Sequence, residues 1–239
     1  MDVHHTLCNT KKIYNRNFGY TAGGETMEDQ QDWTTAEIDE VLEELRAITV
    51  PVNISVEGKQ RVLNLDEVER ILRPARLITL EKCGCREKIK GCDGPLDACV
   101  CTDEQADEAL AERGAWKITI EAAMDALRRA HEAGLVLLTF ETRANGKIEV
   151  ICSCCACCCE TLAAITRFGY NREIIEHSDM IAVRDSELCD NCGICVERCH
   201  FKAWDMVGGE AQLDPEKCSG CGVCVSFCPS GALRFVKRE

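Results

Sequence analysis

Hydrophobic residues recur at helical spacing in three segments of the first 135 residues. This pattern predicts helices over residues 35–50, 67–73 and 119–131. Thr34 and Glu37 fit a capping box at the start of the first helix, and Pro51 is expected to stop it. Asp66 is expected to cap the second helix, and Gly134 is placed to end the third.

Extended segments are predicted between and after these helices. Residues 60–65 and 76–80 fit short strands, and two apolar runs, Leu135–Thr142 and Lys147–Ile151, flank the dipeptide Asn145-Gly146. Asn-Gly between apolar runs is the strongest short-range signal for a β-hairpin. Helices followed by a hairpin are typical of a small α+β domain, similar to a winged helix.

Twenty cysteines in 239 residues is far above ordinary usage, and disulfides, zinc and iron–sulfur clusters are the explanations to compare. Disulfides would imply export, yet His4, His5, Lys11 and Lys12 interrupt the region where a signal peptide would be apolar. No apolar stretch is long enough to span a bilayer. We therefore expect a cytoplasmic protein whose thiols stay reduced and can bind metal.

The charge of the chain bears on its partners. A net charge of −13 argues against nucleic acid, because phosphate binding needs a cationic face. Residues 25–45 carry nine acidic side chains and residues 93–112 carry seven, and neither segment contains Lys or Arg. The pattern favours two solvated helix faces. The alternative is a docking surface for a basic redox partner.

A duplicated cysteine motif lies near the C-terminus. Its first copy is Cys189, Cys192, Cys195 and Cys199, and 29 residues later the second copy is Cys218, Cys221, Cys224 and Cys228. Three thiolates on a tight loop can reach three corners of one cubane, and a short helix carries the fourth cysteine toward the other cluster. One [4Fe–4S] cluster is therefore expected on Cys189, Cys192, Cys195 and Cys228, and the other on Cys218, Cys221, Cys224 and Cys199. Zinc sites rarely place a third cysteine at this interval.

Over residues 179–238 the chain resembles the bacterial ferredoxins that carry two [4Fe–4S] clusters. The second copy matches the family motif through Pro229, whereas His200 stands where the family usually has proline after the first copy. The resemblance implies a pseudo-twofold fold of two short helices and two hairpins, with both clusters low in potential. Gly193 and Gly222 would let the backbone approach the sulfur atoms and donate amide hydrogen bonds.

Two further groups of cysteines precede this module. The first comprises Cys83, Cys85, Cys92, Cys99 and Cys101, and the second comprises Cys152, Cys154, Cys155, Cys157, Cys158 and Cys159. Packing does not select six thiols in eight residues over valine or alanine, so the second run indicates metal ligation and not a core strand. Beside the first group, Arg86 is expected either to neutralise a cluster sulfur or to form an exposed pair with Glu87. His131 is expected at the surface.

Side-chain geometry limits how these cysteines are shared. Neighbouring side chains of an extended segment point to opposite faces, so adjacent cysteines are expected to serve different clusters. One additional [4Fe–4S] cluster is expected on Cys83, Cys85, Cys92 and Cys99. A second would be built mainly from the Cys152–Cys159 run, with ligands exchanged between the two groups. The sequence thus predicts one or two clusters beyond the ferredoxin pair.

The layout of residues 50–239 is also similar to that of uncharacterised multi-cluster ferredoxin-like proteins of anaerobes. Those proteins carry a Cys-x-Cys-Arg group, present here as Cys83–Arg86, and a Cys-Asp-x-Pro-Leu segment, present as Cys92–Leu96. A Cys-Cys-x-Cys-Cys-Cys run then precedes their ferredoxin module. This resemblance brings no settled activity with it.

The expected fold class is α+β, with a helical and hairpin cysteine-rich domain before a pseudo-twofold ferredoxin-like domain. The expected divisions are an arm that is ordered only on a partner, the cysteine-rich domain and the ferredoxin domain, at residues 1–32, 33–178 and 179–239. The predicted function is the transfer of low-potential electrons to partner proteins in an oxidoreductase complex. One alternative is a catalytic cluster that reduces a disulfide or a small substrate, and another is the delivery of metal or clusters.

Overall fold

A mixed β-sheet forms the centre of the fold. The computed structural model describes residues 32–57, 60–142 and 146–238, so the arm expected at residues 1–32 lies outside this range except for Asp32. The strands are β1 (Leu45–Thr49), β2 (Asn53–Glu57), β3 (Gln60–Asn64), β4 (Ile78–Lys82), β5 (Asp97–Thr102), β6 (Trp116–Lys117), β7 (Val136–Thr142), β8 (Lys147–Cys154), β9 (Ile175–Glu176), β10 (Met180–Arg184), β11 (Trp204–Val207), β12 (Glu210–Leu213) and β13 (Leu233–Lys237). Within the described residues, seven strands form the sheet in the order β6-β4-β5-β8-β7-β1-β9.

Helices cover the sheet and connect its strands. They are α1 (Thr35–Glu44), α2 (Asp66–Leu72), α3 (Gly84–Ile89), α4 (Asp103–Glu112), α5 (Ile120–Glu132), α6 (Glu160–Thr166), α7 (Ile194–Arg198) and α8 (Val223–Phe227), with a 3₁₀ turn at Arg172–Ile174. This mixture of helix and sheet confirms the α+β class. The acidic residues of α1 and α4 lie mostly at the surface, as the charge pattern favours.

The three helices that the hydrophobic spacing predicts are all present. Thr34 caps α1 through a complete capping box with Glu37, and the Thr119 side chain accepts a hydrogen bond from Ala122 N at the start of α5. The predicted continuation of α1 to Pro51 is wrong, because residues 45–49 pair with β7 as a strand. The predicted cap at Asp66 is also wrong: Leu65 is the N-cap residue of α2, without a side-chain hydrogen bond.

The predicted hairpin is confirmed as β7 and β8, although Asn145 lies outside the described residues. It forms the middle of a large sheet, so the comparison with a winged helix is wrong. Strand β8 continues through Cys154, and the expectation that the cysteine run contains no core strand is therefore wrong for Cys152 and Cys154. This part of the run is a strand because β8 pairs with β5 on one side and with β7 on the other as far as Cys152.

The two faces of the sheet pack against different parts of the chain. Leu137 and Ile151 point to the face covered by α2 and α5, where they join Leu127 in one core cluster. The alternating neighbours Val136 and Leu138 point to the other face, where α6 and the segment from residue 199 onward complete a second cluster. The cysteines of β8 lie on this second face.

The C-terminal segment is built from two small antiparallel pairs and two short helices. Strand β10 pairs with β13, and β11 pairs with β12. Helices α7 and α8 pack beside each other and share a core with Trp204 and Leu233. This segment therefore brings its own small core to the second face of the central sheet.

Candidate iron–sulfur and metal sites

Two matching loops position the cysteines of the duplicated motif. Each loop enters its helix through a glycine with positive φ, which is +77° at Gly193 before α7 and +88° at Gly222 before α8. Glycine adopts this left-handed conformation without the strain of a side chain. At equivalent places in the loops, the amide of Ile194 donates to the Cys192 sulfur and the amide of Val223 donates to the Cys221 sulfur. Such amide donors are typical of thiolates that bind a cluster.

The first cavity of this segment opens near the surface, and we call it the outer site. About 300 Å³ of space is lined by Cys189, Cys192, Cys195 and Cys228. Cys192 is exposed, and Leu188, next to Cys189, is 57 % exposed. Burial raises the pKa of Cys195 to about 11. A bound cation would hold such a thiol as a thiolate at neutral pH.

The second cavity, the inner site, faces the body of the protein. Its space of about 330 Å³ is lined by Cys199, Cys218, Cys221 and Cys224 together with Phe201 and Trp204. The amide of Ala203 donates to the Cys199 sulfur at 3.2 Å. Burial, followed by the charge of Cys199, raises the pKa of Cys221 well above its usual range. Four thiols around one cavity, two of them with amide donors, suit a [4Fe–4S] cluster, and each cavity is lined by the four cysteines that the spacing groups together.

Six of the remaining cysteines form a continuous row on the second face of the sheet, and we call this row the six-thiol site. Hydrogen-bonding contacts run from thiol to thiol in the order Cys85, Cys83, Cys99, Cys152, Cys154, Cys159. Strand register explains the middle of the row, because Cys99 on β5 lies directly opposite Cys152 on β8. The charge of Cys159 also reaches Cys85.

The thiols of this row differ in their acidity. Hydrogen bonds from Cys85 and Cys99 lower the pKa of Cys83 to about 3, and those from Cys154 and Cys99 lower the pKa of Cys152 to about 5. The donors correspondingly have raised pKa values. At the end of the row Glu160, whose backbone amide donates to Cys85, has a pKa raised to about 7 by burial and then by the charge of Glu37. Thiolates shared in this way are ready to bind a metal.

Four of the five other described cysteines form a much tighter group, which we call the four-thiol group, and only Cys101 lies outside both sets. The sulfur atoms of Cys92, Cys155, Cys157 and Cys158 all lie within 4.8 Å of one another. The expected set of Cys83, Cys85, Cys92 and Cys99 is therefore corrected, because Cys92 lies with the second run and not with the first. Cys152, Cys154 and Cys159 lie in contact with cysteines of the first group, which is the placement that an exchange of ligands between the runs would need.

Arg86 lies buried beside both of these groups. Its Nη1 atom is 3.7 Å from the Cys155 sulfur and donates to the carbonyl oxygen of Ser153, and its Nε atom donates to that of Pro95. Burial works against the charged guanidinium, but Cys83 and its neighbouring thiols raise the pKa of Arg86. The expectation that Arg86 offsets sulfur charge agrees with this placement, and the alternative of an exposed pair with Glu87 is wrong.

Two histidines join the C-terminal segment to the rest of the protein. His200 Nδ1 accepts from the amide of Ala156 at 3.2 Å, so its other nitrogen carries the proton and donates to Gly134 O at 2.7 Å. His131 on α5 is fully buried and lies 2.7 Å from Ser226 Oγ on α8, so the expectation of a surface histidine is wrong. The sequence around these histidines does not predict either contact. His200 is notable in the sequence only because it stands where the ferredoxin family usually has proline.

Comparison with known proteins supports the C-terminal site. Residues 211–234, which include all four cysteines of the second copy, match the family of 4Fe-4S binding domains (Fer4). No curated protein matches the chain. Among the described residues, no helix has both the length and the apolar composition needed to cross a membrane. The chain therefore carries a 4Fe-4S binding segment and many further cysteines, which together support an iron–sulfur electron-transfer role.

Proposed function

We propose that this chain is a multi-cluster electron carrier that passes low-potential electrons to a partner oxidoreductase. In this proposal [4Fe–4S] clusters occupy the outer site, the inner site and the six-thiol site. Such clusters exchange single electrons, and the protein tunes their potentials through hydrogen bonds, burial and charge. The chain divides for this purpose into a cysteine-rich part at residues 33–178 and a ferredoxin part at residues 179–239.

The observation that carries the proposal is the order of the sites from surface to interior. The outer site has an exposed ligand in Cys192, whereas Cys218 and Cys224 of the inner site are buried. Cys199 and Cys221 of the inner site pack in the same core cluster as Cys154 and Cys159 of the six-thiol site. Three redox sites in this order form a continuous route through the molecule.

Contacts between the two parts hold this route together. Val52 N donates to Cys221 O at 3.4 Å, beside the inner site. His200 follows Cys199 directly and hydrogen-bonds the loop that carries Cys155 and Cys157. The ligands of the inner site are thus fixed by the same backbone that positions the interior cysteines.

The first test is the iron and acid-labile sulfide content of protein purified without oxygen, with EPR during stepwise reduction. We expect about 12 irons per chain from three [4Fe–4S] clusters. Cys99→Ser should remove one set of EPR signals and about four irons. The matched control is Cys101→Ser, because Cys101 lies two residues further along the same strand, outside the row. About eight irons in the native protein would contradict the third cluster.

A second candidate function is supported by the number of thiols in the six-thiol site. A [4Fe–4S] cluster needs four thiolates, so two of the six remain for chemistry such as reduction of a disulfide. In this alternative the ferredoxin part supplies electrons, and the interior site is catalytic. An EPR signal that changes when a candidate disulfide is added would favour the enzyme over the carrier, and an unchanged signal would favour the carrier.

The remaining expectations belong to the same proposal. A cytoplasmic location suits the chain, because no disulfide joins the cysteines that the structure describes. Membership of the multi-cluster ferredoxin-like proteins of anaerobes suits a protein with so many thiols. Cluster delivery, the remaining alternative, would require an accessible store, yet most of the cysteines between residues 152 and 159 are buried.

A further inference from the structure

We propose that Cys92, Cys155, Cys157 and Cys158 bind a single zinc ion in a tetrahedral thiolate site that is separate from the iron–sulfur clusters. The site would be structural, and it would fix the loop beside the six-thiol site. This inference concerns four cysteines that the electron route does not use. The zinc proposal can therefore be tested independently of the proposed electron-transfer function.

The distances between the sulfur atoms suit one metal ion. Four thiolates around one zinc ion at about 2.3 Å form a tetrahedron with edges of about 3.8 Å. The Cys92 sulfur lies 3.8 Å from that of Cys155 and 3.9 Å from that of Cys158. Because all four sulfur atoms lie within 4.8 Å of one another, the group approximates such a tetrahedron.

The same structure shows how sites for a cubane differ. In a cubane each thiolate binds its own iron corner, so the four thiolates lie farther apart than the ligands of one ion. The outer and inner sites follow this pattern, because the four cysteines of each line a cavity and do not form so compact a group. In the six-thiol site neighbouring thiols are in contact along a row, but they do not gather into such a group either. Among the residues that the structure describes, a compact metal-sized group occurs only at Cys92 and its three partners.

The chain packs closely against the backbone and sulfur atoms of the four-thiol group. A Cβ at Gly91 would lie 2.8 Å from Cys157 O and 3.2 Å from the Cys158 sulfur. Trp33 Nε1 donates to Cys158 O at 2.8 Å. Cys155, Cys157 and Cys158 are buried. Cys92 is partly exposed. Four protein ligands without an open position are typical of structural zinc.

Charge and metal preference also favour zinc. Four thiolates and one Zn²⁺ leave a net charge of −2, and Arg86, 3.7 Å from the Cys155 sulfur, partly offsets it. For a given set of ligands, zinc binds more tightly than ferrous iron. Since tetrahedral thiolate sites select zinc or iron–sulfur centres, and the spacing excludes a cubane, zinc is the expected ion.

Zinc at this position would join two segments that are distant in the sequence. Cys92 lies between α3 and β5, whereas the other three ligands lie in the turn between β8 and α6. The turn also carries Ala156, whose amide donates to His200. The ion would therefore hold the turn on which both the six-thiol site and the C-terminal segment rest.

The test is metal analysis and zinc X-ray absorption of the full chain purified without oxygen. We expect one zinc per chain, retained against EDTA, with four sulfur neighbours at about 2.3 Å. Iron should also be present, but it should be bound at the other sites and not by these four cysteines. Zinc below a tenth of one per chain, or zinc with mixed oxygen and nitrogen neighbours, would overturn the proposal.

Paired variants give a second test that does not depend on the native protein alone. Cys92→Ser should lower zinc at least fivefold and leave iron unchanged, whereas Cys101→Ser should change neither metal. Cys92→His should restore zinc, because imidazole also binds zinc in tetrahedral sites. Loss of about four irons from Cys92→Ser would instead identify a cubane and overturn the proposal. A Cys92→Ser variant that fails to fold leaves the absorption spectrum of the native protein as the deciding measurement.

Discussion

Arg86 is a buried basic side chain whose charge acts on thiols of both the six-thiol site and the four-thiol group. It is 2 % exposed, donates hydrogen bonds to the carbonyl oxygens of Pro95 and Ser153, and lies 3.7 Å from the Cys155 sulfur. A buried cation of this kind balances thiolate charge on two sides. Its side chain also donates two hydrogen bonds of 2.9 Å to the carbonyl oxygen of Ser153.

Replacing Arg86 by leucine should therefore destabilise the protein strongly. We expect the free energy of unfolding to fall by about 3 kcal/mol, because buried charges on the sulfur atoms would lose their counterion. Urea unfolding without oxygen measures this change. The matched control is Arg113→Leu, since Arg113 Nη2 also lies 3.7 Å from a sulfur, that of Cys101, but its side chain is 34 % exposed. Equal losses in the two variants would contradict the balancing role of Arg86.

At the scale of residues, the sequence predicts which cysteines of the duplicated motif line each cavity, because their spacing is local and repeats. It does not identify the partners of Cys92, since they depend on how the loop after α3 meets the turn after β8. The alternation rule correctly separates Cys154 from Cys155. It fails for Cys157 and Cys158, because these residues lie in a turn and not in an extended strand.

Gly193 and Gly222 occupy equivalent positions at the starts of α7 and α8, but their surroundings differ. A Cβ at Gly222 would collide with the carbonyl oxygen of Val52, whereas a Cβ at Gly193 would have only Met206 Sδ, 3.9 Å away, within contact distance. Both glycines thus adopt the left-handed backbone conformation. Only at Gly222 does the absence of a side chain also allow close contact with the cysteine-rich part.

Alanine at each of these glycines should separate the two effects. Gly193→Ala should cost about 1–2 kcal/mol for the left-handed conformation alone. Gly222→Ala should cost clearly more, because the Val52 backbone must also move. Chemical unfolding of the iron-loaded protein measures both values. Equal costs would show that the close contact between α8 and Val52 does not contribute to stability.

His131 links α5 to α8 and should make stability depend on pH. Burial lowers the pKa of His131 from 6.5 to about 4, so the folded protein keeps it neutral while the unfolded chain protonates it. Its contribution is present above pH 6.5 and is lost as pH falls toward 4. Between pH 7.5 and 5.5 the loss should be about 1.4 kcal/mol.

Thermal unfolding across this pH range, compared with His131→Gln, measures the contribution. Glutamine can keep a hydrogen bond to Ser226 but does not titrate, so its stability should vary less with pH. If the two proteins show parallel pH dependence, His131 does not titrate as the burial requires. A variant that is less stable at all pH values but flatter in slope would still agree with the expectation.

At the scale of elements, hydrophobic spacing identifies α1, α2 and α5 because each presents one apolar face. It does not reveal β1 or β5. Residues 45–49 look like the last turns of α1, and only pairing with β7 makes them a strand. Strand β5 carries Cys99 and Cys101. Their spacing is interpreted as a pattern of metal ligands, and the segment is therefore not predicted as a strand.

The whole molecule offers a partner two kinds of surface. Around the outer site lie apolar side chains that are unusually exposed: Met206 is 42 % exposed, Val207 is 52 % exposed and Leu188 is 57 % exposed. The acidic helix α1 is the other surface, and it would attract a basic partner from a distance. Electron transfer requires short distances, and these apolar side chains lie beside the outer site, whose Cys192 is exposed.

We therefore expect contact at the apolar surface, and not attraction to α1, to control electron transfer. Met206→Gln with Val207→Thr should slow oxidation of the reduced carrier by cytochrome c, a basic haem protein used as a probe, by about tenfold. The matched control is Glu40→Gln with Glu43→Gln on the exposed face of α1, which should change the rate less than threefold at physiological salt. Stopped-flow absorbance measures both rates.

Two further observations decide between the surfaces. We expect both double variants to keep the iron content of the native protein, because all four substituted side chains are exposed at the surface. If the α1 variant slows the reaction more than the apolar variant, and the difference disappears at high salt, the partner docks on the acidic helix. Electrons would then have to enter near the interior sites, and the order from outer site to six-thiol site would no longer describe their route.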